Sequence, residues 1–167
     1  MDNLIVQKYG GSSLATLKQF EFVAKKVKNS LKNSNKIVIV VSAMGNTTDE
    51  LVELGESFLK DSKNIENLRD FDQLLSTGEI ISASLMSMSL RKNNVKAISL
   101  TGQKAGIFTD EFHGSARISS IDEKVILNEL KKRDVVIVAG FQGVSEYGEV
   151  TTLGTVSYTH LTLPTTG

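Results

Sequence analysis

The chain has 167 residues, which is enough for one domain with a sizeable core. Its 19 basic and 19 acidic residues cancel, and this balance argues against nucleic-acid or anionic-membrane binding as its main task. It contains no cysteine, which excludes a disulfide scaffold and a cysteine-based zinc site. The first residues lack the features of a signal peptide, and no apolar run approaches the roughly 20 residues that span a bilayer. We therefore expect a soluble protein of the cytoplasm, without nucleic-acid or membrane partners.

Strand-like and helix-like segments alternate along the chain. Apolar and β-branched runs predict strands at 4–8, 36–43, 95–100 and 134–140. Apolar residues three and four positions apart predict helices at 17–31, 51–58, 71–91 and 122–132. The inward face of the longest helix is expected to carry Leu74, Leu75, Ile81, Leu85, Met86 and Met88. The alternation predicts an α/β fold with a mostly parallel sheet that is covered by helices on both faces.

Local signals predict where some of these elements begin and turn. Ser12 or Ser13 is expected to cap the first helix, and Thr47 is expected to cap the second with Glu50 three residues later. Leu17 begins the apolar face of the first helix, and Leu54 and Phe58 extend that of the second. The segment 141–153 reads as a hairpin that turns at Tyr147-Gly148.

The segment 155–167 differs in composition from the rest of the chain. It has no Asp, Glu, Lys or Arg, five threonines and the only proline. The string is similar to a translated adapter sequence, so we expect residues 1–154 to form the native lobe and 155–167 to be a non-native tail. The alternative is an ordinary threonine-rich edge strand.

Three turns rich in glycine or hydroxyl groups follow predicted parallel strands, where α/β folds bind their ligands. The first follows Lys8 and contains Gly10 and Gly11, whose backbone amides suit an anion such as a phosphate. The second contains Ser42 and Thr48, and the third contains Phe141 between two glycines. Each turn also has a purely structural interpretation as a tight turn or helix start. Neither a P-loop nor a dinucleotide-binding fingerprint is present.

Two further polar residues have two interpretations each. Glu79 lies within the apolar pattern of the longest predicted helix, where it faces either a cavity that holds a cation or the solvent. His113 has no cysteine and no second histidine nearby, so we interpret it as a surface-loop residue rather than a metal ligand. No metal site is predicted in the chain.

Taken together, the turns resemble a known enzyme family. The strings "VQKYGGSSL", "VVSAMGNTTDEL", "LLSTGEIISASL", "SLTGQKAGIFTD", "HGSARI" and "VVIVAGFQGV…GEVTTLG" are similar, in order and spacing, to the N-terminal lobe of aspartate kinases, members of the amino-acid kinase family. The resemblance covers residues 3–154. It implies an incomplete three-layer αβα sandwich. It also implies transfer of the γ-phosphoryl group of ATP, with Mg²⁺ accompanying the nucleotide, to the side-chain carboxylate of L-aspartate. The product, 4-phospho-L-aspartate, lies on the route to lysine, threonine and methionine, and the parent enzyme is expected to be a homo-oligomer.

The resemblance also implies roles for individual residues. The ATP phosphates would be held by the first turn, namely Lys8, Tyr9, Gly10, Gly11 and Ser12, with Lys8 as the catalytic cation. Ser42, Thr48 and Phe141 would contact the amino-acid substrate. Glu79 would pair with the substrate ammonium.

The chain departs from the family after Gly154. There the family continues with an Arg-Gly-Gly-Ser-Asp stretch whose arginine holds the substrate carboxylate, whereas this sequence has Thr155. The family's nucleotide-binding half and regulatory domains have no counterpart, so we expect a fragment that is inactive alone. Two other functions stay open, namely a kinase for glutamate or acetylglutamate, and a non-catalytic binding or assembly module.

Overall fold

The structure, a computed structural model, describes residues 3–32, 36–59 and 64–154. Its strands in these ranges are β1 (Leu4–Tyr9), β2 (Lys36–Val41), β3 (Ala97–Leu100), β4 (Ile107–Thr109), β5 (Ile118–Ile121), β6 (Val135–Ala139), β7 (Gln142–Val144) and β8 (Val150–Thr152). Its helices are α1 (Leu17–Ser30), α2 (Thr47–Glu56), α3 (Ile65–Lys92) and α4 (Glu123–Leu130), with a short 3-10 helix at Gly11–Leu14.

Four strands form a parallel sheet in the order β1-β2-β6-β3. The central strands β2 and β6 are almost entirely buried, as their continuous β-branched runs predict. Alternate residues of β2 enter two separate clusters, because successive side chains of a strand point to opposite faces. Ile37 and Ile39 pack with residues of α1 and α3, whereas Val38 packs with Leu130 of α4. The result is the predicted three-layer arrangement of helices on both faces of a sheet.

A second sheet has the order β5-β4-β7-β8 and is mixed. The predicted hairpin is confirmed as β7 and β8, with Gly148 at a φ of 81° where the chain turns. Strands β4 and β5 were not predicted from the sequence. They are three and four residues long, and every residue of β5 is exposed, so they carry no apolar pattern of their own.

Several predicted helix starts are wrong. Thr16 caps α1 and forms a reciprocal capping box with Gln19, while Ser12 and Ser13 lie in the 3-10 helix before it. Thr47 is the first residue of α2 rather than its cap, because its N–H already donates to the Met44 carbonyl in the preceding turn. Helix α3 starts at Ile65, six residues earlier than predicted, with the Asn64 side chain accepting from the N–H of Glu66.

Some apolar side chains predicted to face inward are exposed instead. Ile81 and Met88 of α3 are 49% and 58% exposed, whereas Leu75 and Met86 are buried. The inward face of α3 is largely polar or small, with Ser76, Gly78 and Ser82 buried, so apolar periodicity alone misplaces it. The side chains of Leu17, Leu54 and Phe58 are also exposed.

In the parts of the chain that the structure describes, every helix is too short or too polar to span a bilayer. The predicted tail, 155–167, lies outside the described residues.

Candidate functional site

A cavity of about 200 Å³ opens at the carboxyl ends of the parallel strands. Its walls come from the turns after β1, β2 and β6 and from helices α2 and α3. The residues that line it are Gly11, Ser42, Ala43, Gly45, Thr48, Glu79 and Phe141. Five residues predicted from four separate motifs therefore meet in one place. Parallel strands bring the turns that follow them to the same edge of the sheet, and α3 adds Glu79.

Glu79 is the charged residue among those that line the cavity, and it is 3% exposed. Its Oε1 atom accepts a hydrogen bond from the backbone N–H of Ala43 at 3.1 Å. Its Oε2 atom is buried and has no hydrogen-bond partner. Burial raises the pKa of the Glu79 carboxyl to about 7, since the charged form loses its hydration. A cation with N–H donors would satisfy the free oxygen and favour the charged form.

The turns after β1 and β2 are joined by backbone hydrogen bonds. The N–H of Ser42 donates to the Tyr9 carbonyl at 3.0 Å, and the N–H of Gly45 donates to the Gly11 carbonyl at 3.1 Å. A Cβ atom on Gly11 would lie 2.8 Å from the Ala43 carbonyl oxygen. Glycine is therefore needed at position 11 for the two turns to approach so closely.

The third wall is Phe141, which follows β6. Its φ of 64° lies in the left-handed region, which is uncommon for a residue other than glycine. Its carbonyl accepts a hydrogen bond from the N–H of Leu153 at 3.0 Å. The hairpin therefore holds Phe141 in a backbone conformation that it would not adopt unaided.

The other residues predicted to hold phosphates are neighbours of Gly11 along the chain and are not among those that line the cavity. Lys8 is exposed and occupies the strand position between Gln7 and Tyr9, so it points to the opposite sheet face from Tyr9. Tyr9 packs against the core under α1 and α3, and its hydroxyl donates to Gln7. Gly10 directly precedes the 3-10 helix, and Ser12, which lies within that helix, is exposed.

The described part of the chain contains no group of three or more His, Asp or Glu side chains placed to hold a metal ion. The described residues therefore form no Mg²⁺ site of their own. The prediction that Mg²⁺ accompanies the nucleotide phosphates is compatible with it.

One polar cluster escaped the sequence analysis. The His113 side chain is 9% exposed, and its Nδ1 atom bonds to Oδ2 of the buried Asp72 at 2.8 Å, so interpreting it as a surface-loop residue is wrong. Thr152 and the backbone of Gly114 bond to the same carboxylate. The available signal was the spacing of Asp72 from Glu79, seven positions apart and so on the same helix face.

The chain is similar in sequence to a known protein family and to several of its members. Residues 3–158 match the model of the amino acid kinase family. The chain is 50% identical over 151 residues to an aspartokinase of Geobacillus stearothermophilus and 44% identical to aspartokinase 2 of Bacillus subtilis. In both cases the match covers 90% of this chain, and this chain spans 36% of the relative's length.

Solved structures show the same similarity. Aspartate kinase from Synechocystis superposes with a TM-score of 0.72 at 41% identity, over 90% of this chain and 24% of that one. E. coli aspartokinase III in complex with aspartate and ADP superposes with a TM-score of 0.73 at 22% identity, over 92% of this chain and 44% of that one. The second likeness concerns the fold alone.

Proposed function

Because the chain belongs to the amino acid kinase family, we propose that it forms the acceptor-binding part of an ATP-dependent kinase for L-aspartate. The complete enzyme would transfer the γ-phosphoryl group of ATP to the side-chain carboxylate and release 4-phospho-L-aspartate and ADP. The chain spans 36% of the aspartokinases that it matches, so the remaining length would supply the rest of the nucleotide site.

The observation that carries this proposal is the half-bonded carboxylate of Glu79 inside the cavity. An α-amino acid has an ammonium group with three N–H donors, and one of them would satisfy Oε2. Ser42 and Thr48 add hydroxyl groups, and Phe141 adds an apolar wall. A small site with one anionic group suits a small amino acid better than a nucleotide base.

The acceptor would then lie next to the turn predicted to hold phosphates. Gly11 lines the cavity, and Lys8, Gly10 and Ser12 flank it along the chain. We propose that Lys8 neutralises charge on the transferred phosphoryl group, while the backbone of Gly10 and Gly11 and the Ser12 hydroxyl hold the phosphate oxygens. The Tyr9 side chain is engaged in the core, so its contribution would come from its backbone. Phosphoryl transfer depends mainly on such alignment and charge neutralisation.

Mg²⁺ would enter with the nucleotide, since it prefers phosphate oxygens and water as ligands. Oligomerisation of the complete enzyme and its place in the cytoplasm remain parts of the proposal. A kinase for glutamate or acetylglutamate is the competing function. Acetylglutamate carries no free ammonium, so it would leave Oε2 of Glu79 without the partner that the proposal requires.

The proposal can be tested in a hybrid enzyme, in which residues 3–154 replace the matching segment of the Geobacillus stearothermophilus aspartokinase. We expect ADP formation that depends on L-aspartate, with the acyl phosphate trapped as a hydroxamate by hydroxylamine. L-glutamate and N-acetyl-L-glutamate should be poor acceptors. Equal turnover with either of them, or no dependence on L-aspartate, would refute the assignment.

The role of Glu79 is tested in the same hybrid. Glu79→Gln keeps an oxygen for the Ala43 N–H but removes the charge, so the KM for L-aspartate should rise at least about tenfold while the KM for ATP stays within about twofold. Glu66→Gln, an exposed change at the start of the same helix, is the matched control and should alter neither KM. Equal effects on both substrates would point to a structural role.

A further inference from the structure

Helix α3 carries a buried polar stripe that leads away from the cavity. Asp72, Ser76 and Glu79 are four and three positions apart, so they lie on one face of the helix. They are 0%, 2% and 3% exposed. Glu79 reaches the cavity, whereas Asp72 bonds to Thr152 of the β7–β8 hairpin. The Ser76 hydroxyl donates to the Gln73 carbonyl within α3, and Ser76 contacts the hairpin through its backbone carbonyl. Buried polar groups require hydrogen-bond partners, and those partners show what the stripe holds together.

The Asp72 carboxylate joins three segments of the chain. It accepts hydrogen bonds from Nδ1 of His113 at 2.8 Å and from the backbone N–H of Gly114 at 3.0 Å. It also accepts from the hydroxyl of Thr152 in β8. Removing one of these donors leaves a buried oxygen with fewer partners, so the cluster favours one position of β8 against α3.

The next residue of the stripe is tied to the other strand of the hairpin. The Ser76 carbonyl accepts from Nε2 of Gln142 at 2.9 Å, and the N–H of Gly102 donates to Oε1 of the same side chain at 3.3 Å. Gln142 pairs with Thr152 across the hairpin. Two paired residues, one from each strand, are therefore both anchored to α3.

These anchors surround Phe141. It directly precedes Gln142, and its carbonyl accepts the N–H of Leu153, the neighbour of Thr152. Since its left-handed backbone conformation is unfavourable for phenylalanine, the surrounding bonds must hold it there. Helix α3, which carries Glu79, thus also holds Gln142 and Thr152, the two residues next to the Phe141–Leu153 hydrogen bond.

We propose that Asp72 and Thr152 are positioning residues of the acceptor pocket: their hydrogen bond holds Phe141 in register with Glu79 and so sets the affinity for the amino-acid acceptor. Neither residue is among those that line the cavity. The inference rests on the proposed function, because it takes the cavity to be the acceptor site.

Thr152→Val in the hybrid enzyme is the direct test, since valine keeps the shape and loses only the hydroxyl. Thr151→Val is the matched control: Thr151 is the adjacent buried threonine of β8, and its hydroxyl bonds to Thr109 at 2.6 Å instead of to α3. We expect Thr152→Val to raise the KM for L-aspartate about fivefold, the scale of one hydrogen bond, and to leave the KM for ATP within about twofold. The control should change neither KM, although both variants should lose thermal stability.

A second measurement does not depend on activity. In the 167-residue chain, amide hydrogen exchange followed by nuclear magnetic resonance should show faster exchange at Leu153, by at least about threefold, in Thr152→Val than in Thr151→Val. If the two variants match in KM or in Leu153 exchange, the positioning role is refuted. If the unmodified hybrid makes no phosphorylated L-aspartate while Leu153 exchange still differs, the proposed function fails but the link between α3 and the hairpin stands.

Discussion

Glu79 of α3 is joined to Ala43 in the turn after β2 by a hydrogen bond of 3.1 Å from the Ala43 N–H to Oε1. The bond occupies one carboxylate oxygen and leaves Oε2 buried without a partner. A single contact therefore sets the position of the carboxylate and leaves half of it available to a ligand. Without a ligand, the ionised form of this buried carboxylate destabilises the folded chain relative to the protonated form.

Stability of the 167-residue chain should fall as the pH rises from about 4.5 to about 7. Burial raises the pKa of Glu79 from 4.5 to about 7, so between these values the folded chain binds a proton that the unfolded chain has released. The contribution of this group is then fully present below pH 4.5 and is lost as the pH rises through about 7, by at most about 1.4 kcal/mol per pH unit.

Denaturant unfolding at several pH values measures this effect. Glu79→Gln cannot titrate at this position, so its free energy of unfolding should lack the decrease seen in the unmodified chain. The Glu66→Gln chain should retain that decrease. Parallel pH profiles for the unmodified chain and Glu79→Gln would contradict the prediction.

Gly11→Ala should destabilise the chain by roughly 1–3 kcal/mol, because the added methyl group would press against the carbonyl oxygens of Ala43 and Gly45. Gly10→Ala is the matched control, since nothing lies within 4 Å of a Cβ atom built there. The measurement is the urea midpoint of each variant. Equal destabilisation by the two changes would show that the approach of the two turns is not what requires glycine.

Lys8→Ala should reduce turnover of the hybrid enzyme by at least roughly 10²-fold while leaving its fold intact, the scale of losing one preorganised charge-stabilising group. Lys26→Ala, which removes an exposed lysine of α1, serves as the control and should have normal turnover. Steady-state rates at saturating ATP and circular dichroism measure the two properties. Near-normal turnover of Lys8→Ala would remove Lys8 from the mechanism.

The 167-residue chain alone should show no L-aspartate-dependent release of ADP. The resemblance to aspartate kinases places an arginine that holds the acceptor carboxylate at position 155, where this chain has threonine. Without that charge the attacking oxygen is neither oriented nor neutralised. A coupled assay on folded chain, with the hybrid enzyme as positive control, checks this. Aspartate-dependent turnover that Lys8→Ala abolishes would contradict it.

The sequence by itself determined the alternation of parallel strands and helices, the hairpin and five of the seven residues that line the cavity. Strands such as 135–139 are apolar along their whole length, and that pattern is local. The turns are recognisable because glycine and hydroxyl side chains at strand ends have a local conformational or capping role. Because parallel strands bring the turns that follow them to one edge of the sheet, the sequence predicts that Gly11, Ser42 and Phe141 lie close together.

Only the tertiary structure decided what depends on contacts between distant segments. Apolar periodicity placed Ile81 and Met88 inward, but the buried face of α3 is the one that carries Asp72, Ser76 and Glu79. The partners that satisfy this polar face, among them His113 and Thr152, lie 41 and 80 positions away from Asp72. A hydrogen bond between residues so far apart leaves no periodic trace in the sequence, because its geometry exists only after the sheet has brought the helix, the loop and the hairpin together.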